Sequence, residues 1–304
     1  MGLMFLMTQL LAVLVAGPFE RAGIRAFEDP SDPVNPVIYV GLILAFTVVI
    51  LIIAKLKLDW LIQLIILGAI GATLVYVFWP LLAYVIVVPL VHFGVAPATA
   101  AWIDLGVSVG LAAVLTALLY KWPEWYIVDS VGILVAAGAT AIFGVSFTFF
   151  PALILLVLLA IYDAIAVYRT RHMLALADTV VGLRLPIMLV VPKHRDYSFL
   201  AEKDSVSEQA STGKPRDAMF MGLGDLVIPS VLVVVAYHNL GNPEAAIGAL
   251  VGTFAGFLLL MSFVLRGRPH AGLPSLNGGS ILGFFLGYWL SGASFGALGI
   301  PGIG

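Results

Sequence analysis

The chain has 304 residues, 62% of them hydrophobic and 11% charged, with a mean hydropathy of +1.09 and a formal net charge of −2. A soluble globular chain is about 45–50% apolar and about 25% charged, so the composition excludes a water-soluble domain and specifies a polytopic integral membrane protein. No basic balance points to nucleic acid as a partner, and the absence of cysteine excludes disulfides and thiolate chemistry.

The opening MGLMFLMTQLLAVLVAGPFE has no basic start, and Pro18 follows the small residues where a leader would be cut. It is expected to be a first membrane helix. It lacks the Ser or Thr at position 6 that myristoylation requires. A span needs about 20 apolar residues, and nine are expected, over roughly 3–18, 36–54, 59–90, 99–120, 126–145, 148–168, 217–237, 243–265 and 275–293. The third is overlong. Pro80 and Pro89 either kink it or lay its end along the interface, and a division into two crossings would reverse every later loop.

Lysine and arginine set the orientation. Thirteen of the fifteen fall in loops after even-numbered spans, and only Arg21 and Arg25 fall on the other side. The N-terminus is therefore expected inside and the C-terminus outside. Residues 169–216, between spans six and seven, carry eight of the thirteen. The first part of this loop, 172–192, is amphipathic and then apolar. The second, 193–216, is polar and reads as a mobile tether. Small residues recur every four positions at Gly248, Gly252 and Gly256 in span eight and at Gly279, Gly283 and Gly287 in span nine, a spacing that lets helix backbones approach closely.

Asp104 and Asp129 lie near span ends; Asp163 and Asp225 lie deeper. Asp163 is six residues before Arg169, about 9 Å from the inner end of span six, and Asp225 is nine residues after Arg216, about 13 Å from the inner end of span seven. The two carboxyls fall at similar depth on consecutive spans. Two carboxyls in one apolar site cannot easily both ionise, so one keeps a proton and the pair titrates as a unit. The base then activates water against a peptide carbonyl, and the acid protonates the carbonyl oxygen. This chemistry needs no metal, cofactor or nucleophilic side chain. On spacing alone two other readings stay open: aspartates bonded to backbone in a packed bundle, and a proton or cation relay in a transporter or channel. Asp129, eight residues after Lys121, is a rival partner at inner depth.

Tyr162-Asp163 on span six and Gly222-Leu223-Gly224-Asp225 on span seven resemble the YD and GxGD motifs of the presenilin and signal peptide peptidase family of intramembrane aspartyl proteases. Pro274-Ser275-Leu276, at the start of span nine, resembles the family's Pro-Ala-Leu motif, with serine in place of alanine. RLPIMLVV (184–191) resembles the segment before the family's large loop, and the compact loops resemble those of an archaeal presenilin homologue. The resemblance covers the whole chain. It implies an all-α polytopic membrane protein of nine transmembrane helices with a presenilin-like fold. It also implies an aspartic endopeptidase with Asp163 and Asp225 catalytic, and an active site shaped by Pro274, Ser275 and Leu276.

Physical roles stand beside it. Gly222 and Gly224 leave room for substrate backbone and loosen the helix before Asp225, with Leu223 between them. Tyr162 either hydrogen-bonds near the aspartates or anchors at the interface. Pro274, lacking an N–H, is expected to start the ninth helix. A substrate helix must unwind, and its freed backbone groups need partners. Strand addition to LVV (189–191), or to the chain before span seven, would supply them. GASFG (292–296) matches a serine-hydrolase elbow but ends an apolar helix instead of joining a strand to one, with His92 and His238 on the same outer side. No HExxH occurs to support zinc. The expected organisation is one membrane domain, 1–304: spans one to six over 1–168, a partly disordered cytosolic loop over 169–216, and spans seven to nine over 217–304. Its expected partners are transmembrane-helix peptides and the lipid bilayer of a prokaryotic, archaeal cell, with no nucleic acid and no required accessory subunit. The sequence sets no oligomeric state.

Overall fold

The computed structural model describes residues 1–170, 188–194, 218–264 and 270–300. Helices α1 (Gly2–Arg21), α2 (Asn35–Lys55), α3 (Asp59–Ala83), the short α4 (Val87–His92), α5 (Pro97–Lys121), α6 (Trp125–Ser146) and α7 (Phe149–Ile165) follow one another, and α7 runs into a π turn at Ala166–Thr170. Two strands come next, β1 (Met188–Pro192) and β2 (Ala218–Gly222). The chain ends in α8 (Leu223–Val234), continued by a π turn at Val235–Asn239, then α9 (Pro243–Val264) and α10 (Gly272–Leu290). With α3 and α4 counted as one segment, the described residues hold nine α-helical bodies, and a 3-10 turn follows at Phe295–Leu298. Pro80 is accommodated inside α3, and α4, at six residues, is too short to cross.

Seven segments are long and apolar enough to span a bilayer unaided. The other two are α8 and α10. The stretch Leu223–Asn239 is about 25 Å long at 1.5 Å per residue, because the first residues of the expected span over 217–237 form β2 instead of helix. Gly222 is extended, with φ −65° and ψ 141°, and caps α8. α10 is diluted by Ser, Asn and Gly residues that face its neighbours. It starts two residues before Pro274, which therefore occupies the third position of the helix and not the first. The first-turn N–H groups of a helix have no intrahelical partner, so proline fits there equally well.

The central helix is α8. Leu226–Ala236 are buried all round, and α1, α6, α7, α9 and α10 pack about them. A helix apolar on every face requires this position. α2 is the opposite case: Val37, Leu42, Phe46 and Ile52 are each about half exposed, as side chains facing lipid are.

The two glycine stripes form the α9–α10 seam. A Cβ added at Gly248, Gly252 or Gly256 would run into the main-chain carbonyl of Gly283, Gly279 or Ser275. The helices touch backbone to backbone, the arrangement favoured where lipid removes the hydrophobic drive between helices. Two side-chain bonds fix α10 further. Asn277 Nδ2 donates to the Leu156 carbonyl on α7 at 2.8 Å, and Ser280 Oγ donates to the Pro229 carbonyl on α8 at 2.9 Å. The start of α10 is thus held between α7 and α8.

β1 and β2 pair antiparallel, with Met188 opposite Gly222 and Val190 opposite Phe220. The two candidate edges, 189–191 and the chain before span seven, pair with each other. The rest of the expected cytosolic loop, including 184–187 and the polar tether, lies outside the described residues.

Candidate active site

Asp163 sits in the last turn of α7 and is buried. The Leu273 N–H donates to its Oδ2 at 3.0 Å, and the Gly272 N–H is also turned on its carboxyl. Asp225 is the third residue of α8 and is half-buried. Gly272 lies directly against it: an added Cβ there would stand 3.0 Å from both carboxyl oxygens and 3.1 Å from Cγ. One residue, the first of α10, therefore touches both aspartates. The seam with α9 and the bonds from Asn277 and Ser280 hold it in that place.

The other residues singled out by the motifs collect around this point. Gly222 ends β2, and an added Cβ would meet Asp225 Oδ2 at 3.8 Å, an ordinary contact. Gly224 is exposed, with nothing within 4 Å of an added Cβ. No helix precedes Leu223 to be loosened, because the chain up to Gly222 is strand. Leu223 packs toward α6 against Gly132. Pro274 and Ser275 are half-buried and Leu276 fully buried. The Ser275 carbonyl is the group against Gly256, so the backbone of this motif belongs to the α9–α10 seam. Tyr162 is half-buried against the core, and among the described residues its hydroxyl bonds neither aspartate.

Several contributors carry no side-chain signature. Gly272 and Leu273 act through backbone N–H and the absence of a Cβ. Tyr168, in the π turn after α7, accepts the Ala271 N–H at 3.4 Å and meets the His270 ring edge-on at 6.0 Å. Asp129, the rival partner in the sequence, faces elsewhere: its Oδ1 accepts the Val190 N–H of β1 at 2.8 Å. Asp104 is buried in α5, which packs on α3, α4 and α6. The serine–histidine alternative is not assembled. The His238 ring Nε2 bonds the Val13 carbonyl at 2.8 Å, and Ser294 Oγ accepts the Gly296 N–H.

Two carboxyls that share one glycine and a largely buried setting favour a state with one proton between them. Such a pair can deprotonate a water with one member and protonate a carbonyl oxygen with the other. The N–H bond from Leu273 fixes the orientation of Asp163.

The family model for signal-peptide peptidase, presenilin aspartyl protease matches residues 1–293. Two solved structures of a presenilin family intramembrane aspartate protease, in crystals of space groups C222 and P2, are similar to the chain. The first is 36% identical, with a TM-score of 0.65, over 95% of this chain and 97% of that one. The second is 38% identical, with a TM-score of 0.66, over 95% and 96%. No curated protein matches. The chain belongs to the signal-peptide peptidase, presenilin aspartyl protease family and is an intramembrane aspartic endopeptidase.

Proposed function

We propose that Asp163 and Asp225 are the acid–base pair of this protease and that it cuts peptide bonds within membrane-spanning helices. The observation that carries the assignment is the convergence of both carboxyls on Gly272. One aspartate takes a proton from water as the water attacks the scissile carbonyl. The other donates to the carbonyl oxygen, and the tetrahedral intermediate then expels the amine. No step passes through a metal or an organic cofactor.

An unwound substrate segment needs partners for its backbone groups, and strand addition supplies them. The outer edge of β1 is taken, because the Val190 N–H is spent on Asp129. Val190 and Phe220 are therefore a non-hydrogen-bonded pair, and so are Met188 and Gly222 two positions along. The Gly222 N–H points away from β1. The substrate strand joins on the β2 side at Gly222, three residues before Asp225. Gly224, Pro274 and Ser275 border its path, and the buried Leu276 supports it from below.

The charge asymmetry supports an N-terminus and a 169–216 loop in the cytosol, with the C-terminus outside, and the resemblance of the compact loops to those of an archaeal presenilin homologue supports a prokaryotic, archaeal cell membrane. The whole chain acts as one membrane domain without accessory subunits. It prefers helices with the N-terminus outside, and its first cut falls in their cytosolic half. Incubation of the purified protein with a labelled transmembrane peptide tests this reading: cleavage is expected, with block by an aspartic-protease transition-state analogue. Ion flux in liposomes that depends on Asp163, with no cleavage of any helical peptide, would favour the relay. Single cysteines at Ser205 and Ser294 test the orientation. An impermeant thiol reagent added to whole cells is expected to label position 294 and spare 205; labelling of 205 alone would reverse it.

A further inference from the structure

We propose that Asp129 is a positioning residue: with Trp125 and Gly132 it forms a seat on α6 that fixes β1, and through β1 the strand that leads into Asp225. The seat stands on the geometry; the effect on substrate rests on the protease reading above.

Residues 125, 129 and 132 are spaced i, i+4, i+7 and share one face of α6. All three meet the sheet. Trp125 packs against the small buried cluster that Val190 of β1 and Ala218 of β2 form. Asp129 is 5% exposed, and its Oδ1 takes the Val190 N–H at 2.8 Å. A Cβ at Gly132 would stand 3.0 Å from Leu189 Cδ2 and 3.2 Å from Leu223 Cδ2. The bare glycine thus admits the leucine of β1 and the leucine of the Gly-Leu-Gly-Asp turn side by side.

A two-stranded ribbon is marginal by itself. This one leads directly into the residue that completes the aspartate pair. Because the Val190 N–H points away from β2, Asp129 holds β1 without competing for the ladder bonds. Its other oxygen is buried with no hydrogen-bond partner among the described residues, so the strand amide is the hydrogen bond that orients this carboxyl. A buried acid at inner depth, eligible by position to join the catalytic pair, instead sets the register in which substrate is presented.

Three variants separate this role from general packing. Asp129→Asn keeps a carbonyl acceptor. Asp129→Leu keeps bulk and loses the acceptor. Val190→Pro removes the donor, at a strand edge whose N–H faces away from the ladder, where proline is tolerated. For a labelled transmembrane peptide, Asp129→Leu and Val190→Pro are each expected to raise KM about tenfold, as loss of a buried hydrogen bond that leaves its partner unsatisfied implies. They are also expected to spread cleavage over neighbouring bonds in the mass spectrum. kcat and the affinity for a transition-state analogue confined to the aspartate pair change little. Asp129→Asn restores KM and the cleavage pattern, and the Asp129→Leu/Val190→Pro double variant is no worse than either single one.

An unchanged KM and cleavage pattern in both single variants overturns the proposal. So does a collapse of kcat together with lost analogue binding. If Asp129→Leu does not fold, Val190→Pro gives the same reading. If the wild-type protein neither cleaves nor binds the analogue, the protease reading has failed, and amide exchange decides this one. Faster exchange at Leu189–Val191 in Asp129→Leu but not in Asp129→Asn sustains the seat; unchanged exchange overturns it.

Discussion

Substitution of Gly272 strikes the point where the two aspartates meet. Its helical backbone accepts any L-residue, so the effect is steric. A Cβ would lie 3.0 Å from both oxygens of Asp225, a few tenths of an ångström inside ordinary contact. The backbone cannot yield, because the Gly272 and Leu273 N–H groups are turned on Asp163 and α10 is locked against α9. The Asp225 carboxyl must move instead. Overpacking costs about 1–3 kcal/mol. Alanine, at the low end, is expected to lower kcat about fivefold; valine, with two further methyl groups, about a hundredfold, the loss that follows a misplacement of order 1 Å. Cleavage of a fluorogenic transmembrane peptide gives kcat and KM, and thermal melting in detergent reports folding. The expected pattern is a graded loss of kcat with KM and melting little changed. A Gly272→Val variant that cleaves within twofold of wild type would refute the reasoning.

Gly252→Leu drives a side chain into the Gly279 carbonyl across the α9–α10 seam and is expected to lower the melting temperature by many degrees, with activity lost in parallel; unchanged melting would contradict the backbone contact. Asn277→Ala removes the bond to the Leu156 carbonyl and is expected to cost about 1 kcal/mol, within the range for hydrogen bonds between membrane helices, measurable by denaturation in mixed micelles. The pH profile of kcat/KM is expected to be bell-shaped. The rate falls at low pH as both carboxyls become protonated and falls again at high pH as the shared proton is lost. A rate that climbs steadily into the alkaline range would speak against one proton on the pair.

Much of this was legible because lipid leaves a strong imprint on sequence. Nine helical segments follow from apolar run length, and the α9–α10 seam from glycine every fourth residue, since both features are one-dimensional. Asp163 and Asp225 stand out because ionisable groups in a span are rare. What could not be read depends on non-local geometry. LVV (189–191) and the chain before span seven were each legible as a strand edge, but not that the two pair with each other across 30 residues. Nothing local marks the switch at Gly222, where a glycine cap fits either reading. Pro274 pointed to a helix start, but proline is tolerated anywhere in the first turn, so the boundary fell two residues early. Gly272 and Leu273 contribute a missing Cβ and a backbone N–H, which every glycine and most residues possess. Asp129 was visible as a buried acid; only the fold shows that its partner is a strand amide.

The assignment of the catalytic pair is tested most directly by single-turnover cleavage of a labelled transmembrane peptide by purified Asp163→Asn and Asp225→Asn, each checked for wild-type melting. Both carboxyamides keep the shape of the side chain and remove its proton chemistry. The expected result is two folded proteins with no detectable product. Cleavage at the wild-type rate by either one would contradict the two-aspartate site.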